Sequence, residues 1–304
     1  MKAIRLNEWG KALELEDVPQ PEPNDNEVLV RVHAASINPF DSALQAGYLQ
    51  AMAKTPLTMG TDFAGEVVAA GSSITHLKPG DAVYGLSPLG AGAFAEYTTA
   101  KANELTHKPR SLDYISAASV PLPSMAAWKS LFELLQLKRG ERLLIHGAGG
   151  NVGSLAVQLA KAEGAFVYGV DIPEKAEHLR KLGVDGFISS QEKFEDIVKD
   201  VDAVFDLVGG ELTDRSYTVL RSGGRYVTSL LMDTPQDEPQ RRGIRSMGLA
   251  AWPNADILTK MAERIDSGKV KVFVNRTFPL EEANAAMAYR LTTKAIGKVV
   301  LTVL

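Results

Sequence analysis

The chain contains no cysteine, which excludes disulfides and every thiolate metal site. Its five histidines, His33, His76, His107, His146 and His178, are scattered without a ligand-like pair, leaving carboxylates alone as holders of any weakly bound cation. Neither sign of charge dominates: 33 Lys and Arg against 37 Asp and Glu leave a formal net charge of -4. That balance offers no broad basic surface for nucleic acid, and attraction of an anionic cofactor has to be local. No apolar run is long enough to span a bilayer, and Met1-Lys2-Ala3-Ile4-Arg5 has no signal-peptide pattern. The expectation is a cytoplasmic protein with neither membrane nor nucleic acid as partner. With 304 residues, the chain has room for two domains of ordinary size.

The most informative stretch is Leu143-Leu144-Ile145-His146-Gly147-Ala148-Gly149-Gly150-Asn151-Val152-Gly153, followed by the helix-like Ser154-Leu155-Ala156-Val157-Gln158-Leu159. An apolar run breaks into closely spaced glycines and resumes at helical spacing, which reads as strand, tight turn and helix start. Glycine permits backbone angles closed to other residues and lets the main chain approach a ligand. The helix start adds unpaired N–H groups and the positive end of its dipole, a seat for a dinucleotide pyrophosphate. Counted from Gly147 and Gly149, a third glycine is due where Val152 stands. Ala148-x-Gly150-x-x-Gly153 fits with alanine in the first place, and Gly147-x-x-Gly150-x-x-Gly153 fits with glycine throughout. Residues 165–170 read as a second strand ending in Asp171, about 20 positions on, where an acid usually holds a ribose hydroxyl. Cofactor contacts are expected from Gly147, Gly149, Gly150, Asn151, Val152, Gly153 and Asp171.

Before this stretch the chain reads as β: residues 27–32, 63–68, 82–84 and 94–98 are short apolar or alternating runs, with turns at 21–25 and 78–81. The pattern implies a small, irregular barrel. Ser124 is positioned to cap a helix over 125–135. Beyond Asp171, helix 174–182 closes at Gly183, strand 202–208 ends in Gly209-Gly210, and strand 225–229 follows Gly223-Gly224. Alternating strands and helices define an α/β, doubly wound parallel sheet. From about Lys271 the texture changes again: strand 272–274, helix 280–291 and a closing strand 298–303 that is expected to return to the first domain.

Five segments carry a resemblance: 34–41 (AASINPFD), 60–68 (GTDFAGEVV), 80–85 (GDAVYG), the glycine turn, and 206–210 (DLVGG), with Gly297-Lys298-Val299-Val300-Leu301 closing the chain. Together they resemble the medium-chain dehydrogenase/reductase superfamily, in its zinc-independent quinone oxidoreductase (zeta-crystallin-like) branch. The resemblance covers essentially the whole chain. It implies a GroES-like β-barrel domain over 1–118 and 273–304 and a Rossmann domain over 119–272. Zinc alcohol dehydrogenases of the superfamily carry a cysteine ligand where this chain has Asn38 and a histidine ligand where it has Thr61. No zinc is therefore expected, and without a Lewis acid an unactivated alcohol is a poor substrate.

The implied reaction is hydride transfer from NADPH or NADH to a quinone or the β-carbon of an enone. Charge then develops on the carbonyl oxygen, and the Asn38 side-chain amide is the candidate donor to it. Asn38 also suits a loop-tying role beside Pro39, and the two roles are compatible. Tyr48 lines the substrate pocket in one reading and packs in the other. Asp41 reads as loop support, because a carboxylate would oppose an oxyanion. Family positions that often carry tyrosine and threonine hold Ala43 and Ala126 here, which keeps a second reading open: a cofactor-binding redox sensor or regulatory protein with little turnover. Lys175 favours the 2′-phosphate of NADPH and Asp171 the ribose diol of NADH. Val208, Gly209, Ser229 and Leu230 are expected at strand ends near the ribose or nicotinamide. By the same resemblance a homodimer is expected, with 225–231 at or near the pairing edge.

Overall fold

The computed structural model describes residues 1–229, 240 and 242–303. It divides into two compact units: Met1–Leu122 with Pro253–Gly268 and Val272–Leu304, and Pro123–Trp252 with Lys269–Lys271. The helix Ala255–Asp266 thus belongs with the first unit, where the Tyr84 hydroxyl donates to Leu258 O at 2.7 Å and Asp266 accepts from the Arg110 and Ser111 N–H groups. Among the described residues, no helix is long and apolar enough to cross a membrane.

The first unit is built on the long strand Glu27–Ser36. Antiparallel to it run Asp62–Ala70, Tyr97–Lys101 and the closing strand Lys298–Thr302. Val28, Val30 and Val32 alternate inward and pack with Phe63, Val67, Phe94 and Leu301 in one apolar core, as β-branched residues on a pleated surface should. The pairing register sets Ser36 opposite both Asp62 and Val300. Residues far apart in the chain thereby converge at one end of the central strand.

The second unit carries a six-stranded sheet in the order Gly186–Ser189, Phe166–Asp171, Arg142–His146, Val201–Asp206, Leu220–Thr228 and Arg245–Gly248, with every pairing parallel. Numbered along the chain this is the 3-2-1-4-5-6 order of the Rossmann fold, with the strand order reversing beside Arg142–His146, the position at which such folds bind dinucleotides. Four sequence expectations shift. The helix after 118 starts at Pro121 and runs to Trp128, then widens into a π-helix over Lys129–Leu134, so Ser124 lies buried inside it instead of capping it. Pro121 suits a first turn, where a missing N–H has no helical partner to lose. The strands expected at 94–98 and 272–274 form at Tyr97–Lys101 and Val274–Pro279. Residues 225–228, expected at or near a pairing edge, are paired on both sides, and the outer strand beyond them is Arg245–Gly248.

Candidate functional site

In the second unit the glycine turn connects the strand Arg142–His146 to the helix Asn151–Ala162. Gly147 has φ +72°, a left-handed angle that glycine adopts without penalty. Gly150 caps the helix with extended backbone, and the first helical bond is Ser154 N–H to Gly150 O at 2.8 Å. The N–H groups of Asn151, Val152 and Gly153 precede that bond and are the orphan donors of a helix start. A Cβ on Gly153 would lie 2.3 Å from Gly147 O and 2.6 Å from Ala148 Cα. The left-handed corner, the cap and the close approach thus fall on Gly147, Gly150 and Gly153. A Cβ on Gly149 would meet chiefly Lys175 Cδ, at 2.6 Å.

Two carboxylates hold the backbone around this turn. Asp171, at the end of the second strand, accepts from Gly149 N–H at 2.7 Å on one oxygen and from Ile172 N–H at 2.8 Å on the other. The Lys175 ammonium stands 3.6 Å from it. Asp206, fully buried, accepts from the N–H groups of Val208 and Gly209, both at 2.9 Å, and from the Tyr226 hydroxyl at 2.7 Å. Val208 is exposed, Gly209 has φ +72°, and the Ser229 N–H donates to Asp206 O at 3.1 Å. Leu230 lies outside the described residues. His146 is also buried, and Ser216 Oγ sits 2.9 Å from its Nε2. That hydroxyl donates to Leu212 O at 2.7 Å, so it receives Nε2–H from a neutral imidazole. Burial keeps the ring neutral, pulling its pKa to about 4.

In the first unit Asn38 precedes the helix Pro39–Gln45. Its backbone N–H donates to Asp41 Oδ2 at 2.7 Å, and its side-chain Nδ2 donates to Asp62 Oδ2 at 2.9 Å. Its Oδ1 accepts from the Lys298 ammonium. Lys298 Nζ also donates to Ile37 O at 3.0 Å and to Asp62 Oδ2 at 3.3 Å. Asp62 further accepts from Ser36 Oγ at 3.0 Å and Leu122 N–H at 2.9 Å, and Thr61 Oγ1 donates to Asp41 Oδ1 at 3.0 Å. Asn38, Asp41, Asp62 and Lys298 are all buried. Burial drives the Asp41 pKa up to about 6, against the Asn38 N–H that favours its anion, while the neighbouring Asp62 charge adds to the rise. Burial likewise pulls Lys298 below the usual lysine range, and Asp62 and Asp41 hold its charge in place. Tyr48, by contrast, is 84% exposed beyond the end of the Pro39–Gln45 helix.

Asn38 and the glycine turn stand out in the sequence, whereas Lys298 and Asp62 do not show there as partners of Asn38. A signal was present: a lysine opening an otherwise apolar strand, where lysine is almost never fully buried without a partner. The pairing function of Asp206 and the neutral state of His146 have no local signature.

The two halves of the chain match different family profiles, the Alcohol dehydrogenase GroES-like domain over residues 24–110 and Zinc-binding dehydrogenase over residues 182–301. Among curated proteins, the NADPH-dependent alkenal/one oxidoreductase of Arabidopsis thaliana chloroplasts is 34% identical, spanning 99% of this chain and 79% of that one. The 2-methylene-furan-3-one reductase of Solanum lycopersicum is also 34% identical over the same shares. Among solved structures, the quinone oxidoreductase from Coxiella burnetii superposes with a TM-score of 0.89 at 32% identity, covering 100% of this chain and 99% of that one. The chain belongs to the medium-chain dehydrogenase/reductase superfamily, in its quinone oxidoreductase branch.

The second profile's description raises the question of a metal. Among the described residues, no group of three or more His, Cys, Asp or Glu is arranged to hold one. More tellingly, the ammonium of Lys298 lies against Asn38 Oδ1 and Asp62 Oδ2, the oxygens a cation at position 38 would need. These residues do not fit a zinc ion. The glycine turn, with its cap, its left-handed corner and its orphan N–H groups, does fit a nicotinamide dinucleotide.

Proposed function

We propose that this protein reduces quinones or α,β-unsaturated carbonyls with NADPH or NADH, without zinc. When bound, the nicotinamide supplies the hydride. The reading is carried by one observation: the buried Asn38 side-chain amide is fixed by an ammonium and a carboxylate, at the position to which the family resemblance assigns a metal ligand in zinc relatives. The two plant relatives, named for reduction of an alkenal/one and of a methylene-furanone, and the quinone oxidoreductase structure point to the same acceptors.

In this reading the N–H groups of Asn151, Val152 and Gly153 hold the pyrophosphate, with Gly147, Gly149 and Gly150 letting the main chain come close. Val208, Gly209 and Ser229 contact the ribose or nicotinamide side. Asp171 holds the turn through its backbone partners, and Lys175 beside it decides between the two cofactors. Asn38 donates an amide N–H to the oxygen on which charge develops as the acceptor takes the hydride. A donor that is already in position pays no reorganisation when the charge appears, and a dry setting strengthens the bond. Tyr48 supplies an exposed aromatic surface for the body of the acceptor. Asp41 serves the loop through the Asn38 N–H and Thr61.

The test is single-turnover oxidation of each reduced cofactor against a panel of enones, quinones and saturated ketones. Turnover of the first two classes and none of the third is expected, whereas inertness across the panel would favour a cofactor-binding sensor. Asn38→Ala is expected to lower turnover by about 10- to 100-fold with cofactor affinity unchanged, and an unchanged rate removes Asn38 from the reaction. The reading also includes a small-molecule partner only, a cytoplasmic setting and a homodimer, the last checked by a concentration-dependent mass measurement.

A further inference from the structure

Lys298 begins the closing strand Lys298–Thr302, whose other residues are almost all apolar and buried. Its ammonium has three N–H groups and meets three acceptors, Ile37 O, Asn38 Oδ1 and Asp62 Oδ2. Asn38 in turn offers its oxygen to the ammonium and one amide hydrogen to the Asp62 carboxylate. This arrangement has only one sense. Flipping the amide would set its NH2 against the ammonium and its oxygen against the carboxylate, two repulsive contacts in a buried setting. The other amide N–H is given no acceptor among the described residues. A cation bound at an amide oxygen also draws charge from the group and strengthens its N–H donors.

We propose that Lys298 is the positioning residue of the site: with Asp62 it locks the Asn38 amide with one N–H free for the acceptor oxygen. This rests on the reading of Asn38 as the oxyanion donor. Pairing between Lys298–Thr302 and Glu27–Ser36 is carried by backbone bonds from Ser36 to Ala34, so an ammonium at this point is not needed to dock the strand.

The experiment compares the full-length wild type with Asn38→Ala, Lys298→Met, their double variant, and a charge-neutral Asp62→Asn/Lys298→Met pair. Reduced-cofactor affinity is followed by fluorescence, folding by thermal melting, and single-turnover rates with a weakly activated enone and a quinone. Lys298→Met is expected to slow the enone by about tenfold or more, to slow the quinone less because it needs less oxyanion stabilisation, and to leave cofactor affinity within about twofold. Added to Asn38→Ala it is expected to cause no further loss, since it acts through that amide. Should Lys298→Met fail to fold, the neutral pair removes both anchors without leaving a lone buried charge and is expected to show the same acceptor-dependent loss. Equal slowing of both acceptors, or losses that add in full to those of Asn38→Ala, overturns the proposal. A slow Asn38→Ala beside a normal Lys298→Met overturns this inference alone, whereas Asn38→Ala at the wild-type rate overturns the donor reading beneath it.

Discussion

The two units bury their carboxylates for opposite purposes. In the second, Asp171 and Asp206 sit at strand ends and bind mainly backbone N–H groups, at Gly149 and Ile172 and at Val208 and Gly209, with the Tyr226 hydroxyl also on Asp206. They shape main-chain turns. In the first, Asp62 grips the side chains of Ser36, Asn38 and Lys298 besides the Leu122 N–H, and Asp41 takes Thr61 together with the Asn38 N–H. One unit presents backbone, which suits a pyrophosphate common to every dinucleotide; the other presents a held side chain, which suits chemistry that differs between relatives.

Deleting one carboxylate from each unit separates the two roles most strongly. Asp62→Ala leaves the Lys298 ammonium buried without the counter-ion in contact with it, and about 3–5 kcal/mol of stability is expected to go. Asp206→Ala leaves neutral donors, two of them in a turn where Val208 is exposed to water, so a smaller loss of about 1–3 kcal/mol is expected. Urea unfolding of both variants checks the order. Asp206→Ala the more damaging would mean that the second unit depends on charge as the first does.

Within the glycine turn a finer contrast follows. Gly153→Ala drives a Cβ into the backbone of Gly147 and Ala148, and about 1–3 kcal/mol of destabilisation is expected along with loss of cofactor binding. At Gly149 the obstacle is mainly the Lys175 side chain, which can swing aside, so Gly149→Ala is expected to fold with nearly wild-type stability. Thermal melting and a cofactor titration on both variants decide it.

These contrasts also explain what was legible in the sequence. Glycine spacing and strand-helix alternation are local, so the parallel α/β sheet, the glycine turn and the strand end at Asp171 could be read directly. The first-unit network is not local: Lys298 and Asn38 are separated by 260 positions, and Lys298 and Asp62 by 236. Only the antiparallel register on Glu27–Ser36 brings them together. The Pro121 helix start and the π-helix that follows were likewise invisible, because Ser124 offered a better cap by local rules than the fold uses.

Acidity separates the units in another way. Asp41 holds its proton more tightly folded, at about 6 against an ordinary 3.8, so its contribution to stability is complete below about 3.8 and is lost as pH rises through about 6. His146 is kept neutral, at about 4 against 6.5, so its contribution is complete above 6.5 and is lost as pH falls towards about 4. Between about 4.5 and 6 the two oppose each other. Asp41→Asn is therefore expected to make stability fall more steeply on acidification than in the wild type, and His146→Asn less steeply. Urea midpoints across that range test both signs, and parallel slopes in all three proteins would refute the assignment.

The smallest expected effect concerns which dinucleotide is preferred. Both Asp171 oxygens already accept backbone N–H groups, and the Lys175 ammonium faces the same carboxylate. If Asp171 serves the turn, as the comparison of the units implies, Asp171→Ser weakens NADPH and NADH alike and leaves their affinity ratio unchanged. Lys175→Ala then lowers NADPH affinity more than NADH affinity, by about fivefold, since a partly exposed charge contact is worth about 1 kcal/mol. Paired titrations with the two reduced cofactors give both ratios. A ratio that swings towards NADPH in Asp171→Ser would mean that the carboxylate repels the 2′-phosphate despite its backbone partners, and that this strand end discriminates between ligands as well as shaping the main chain.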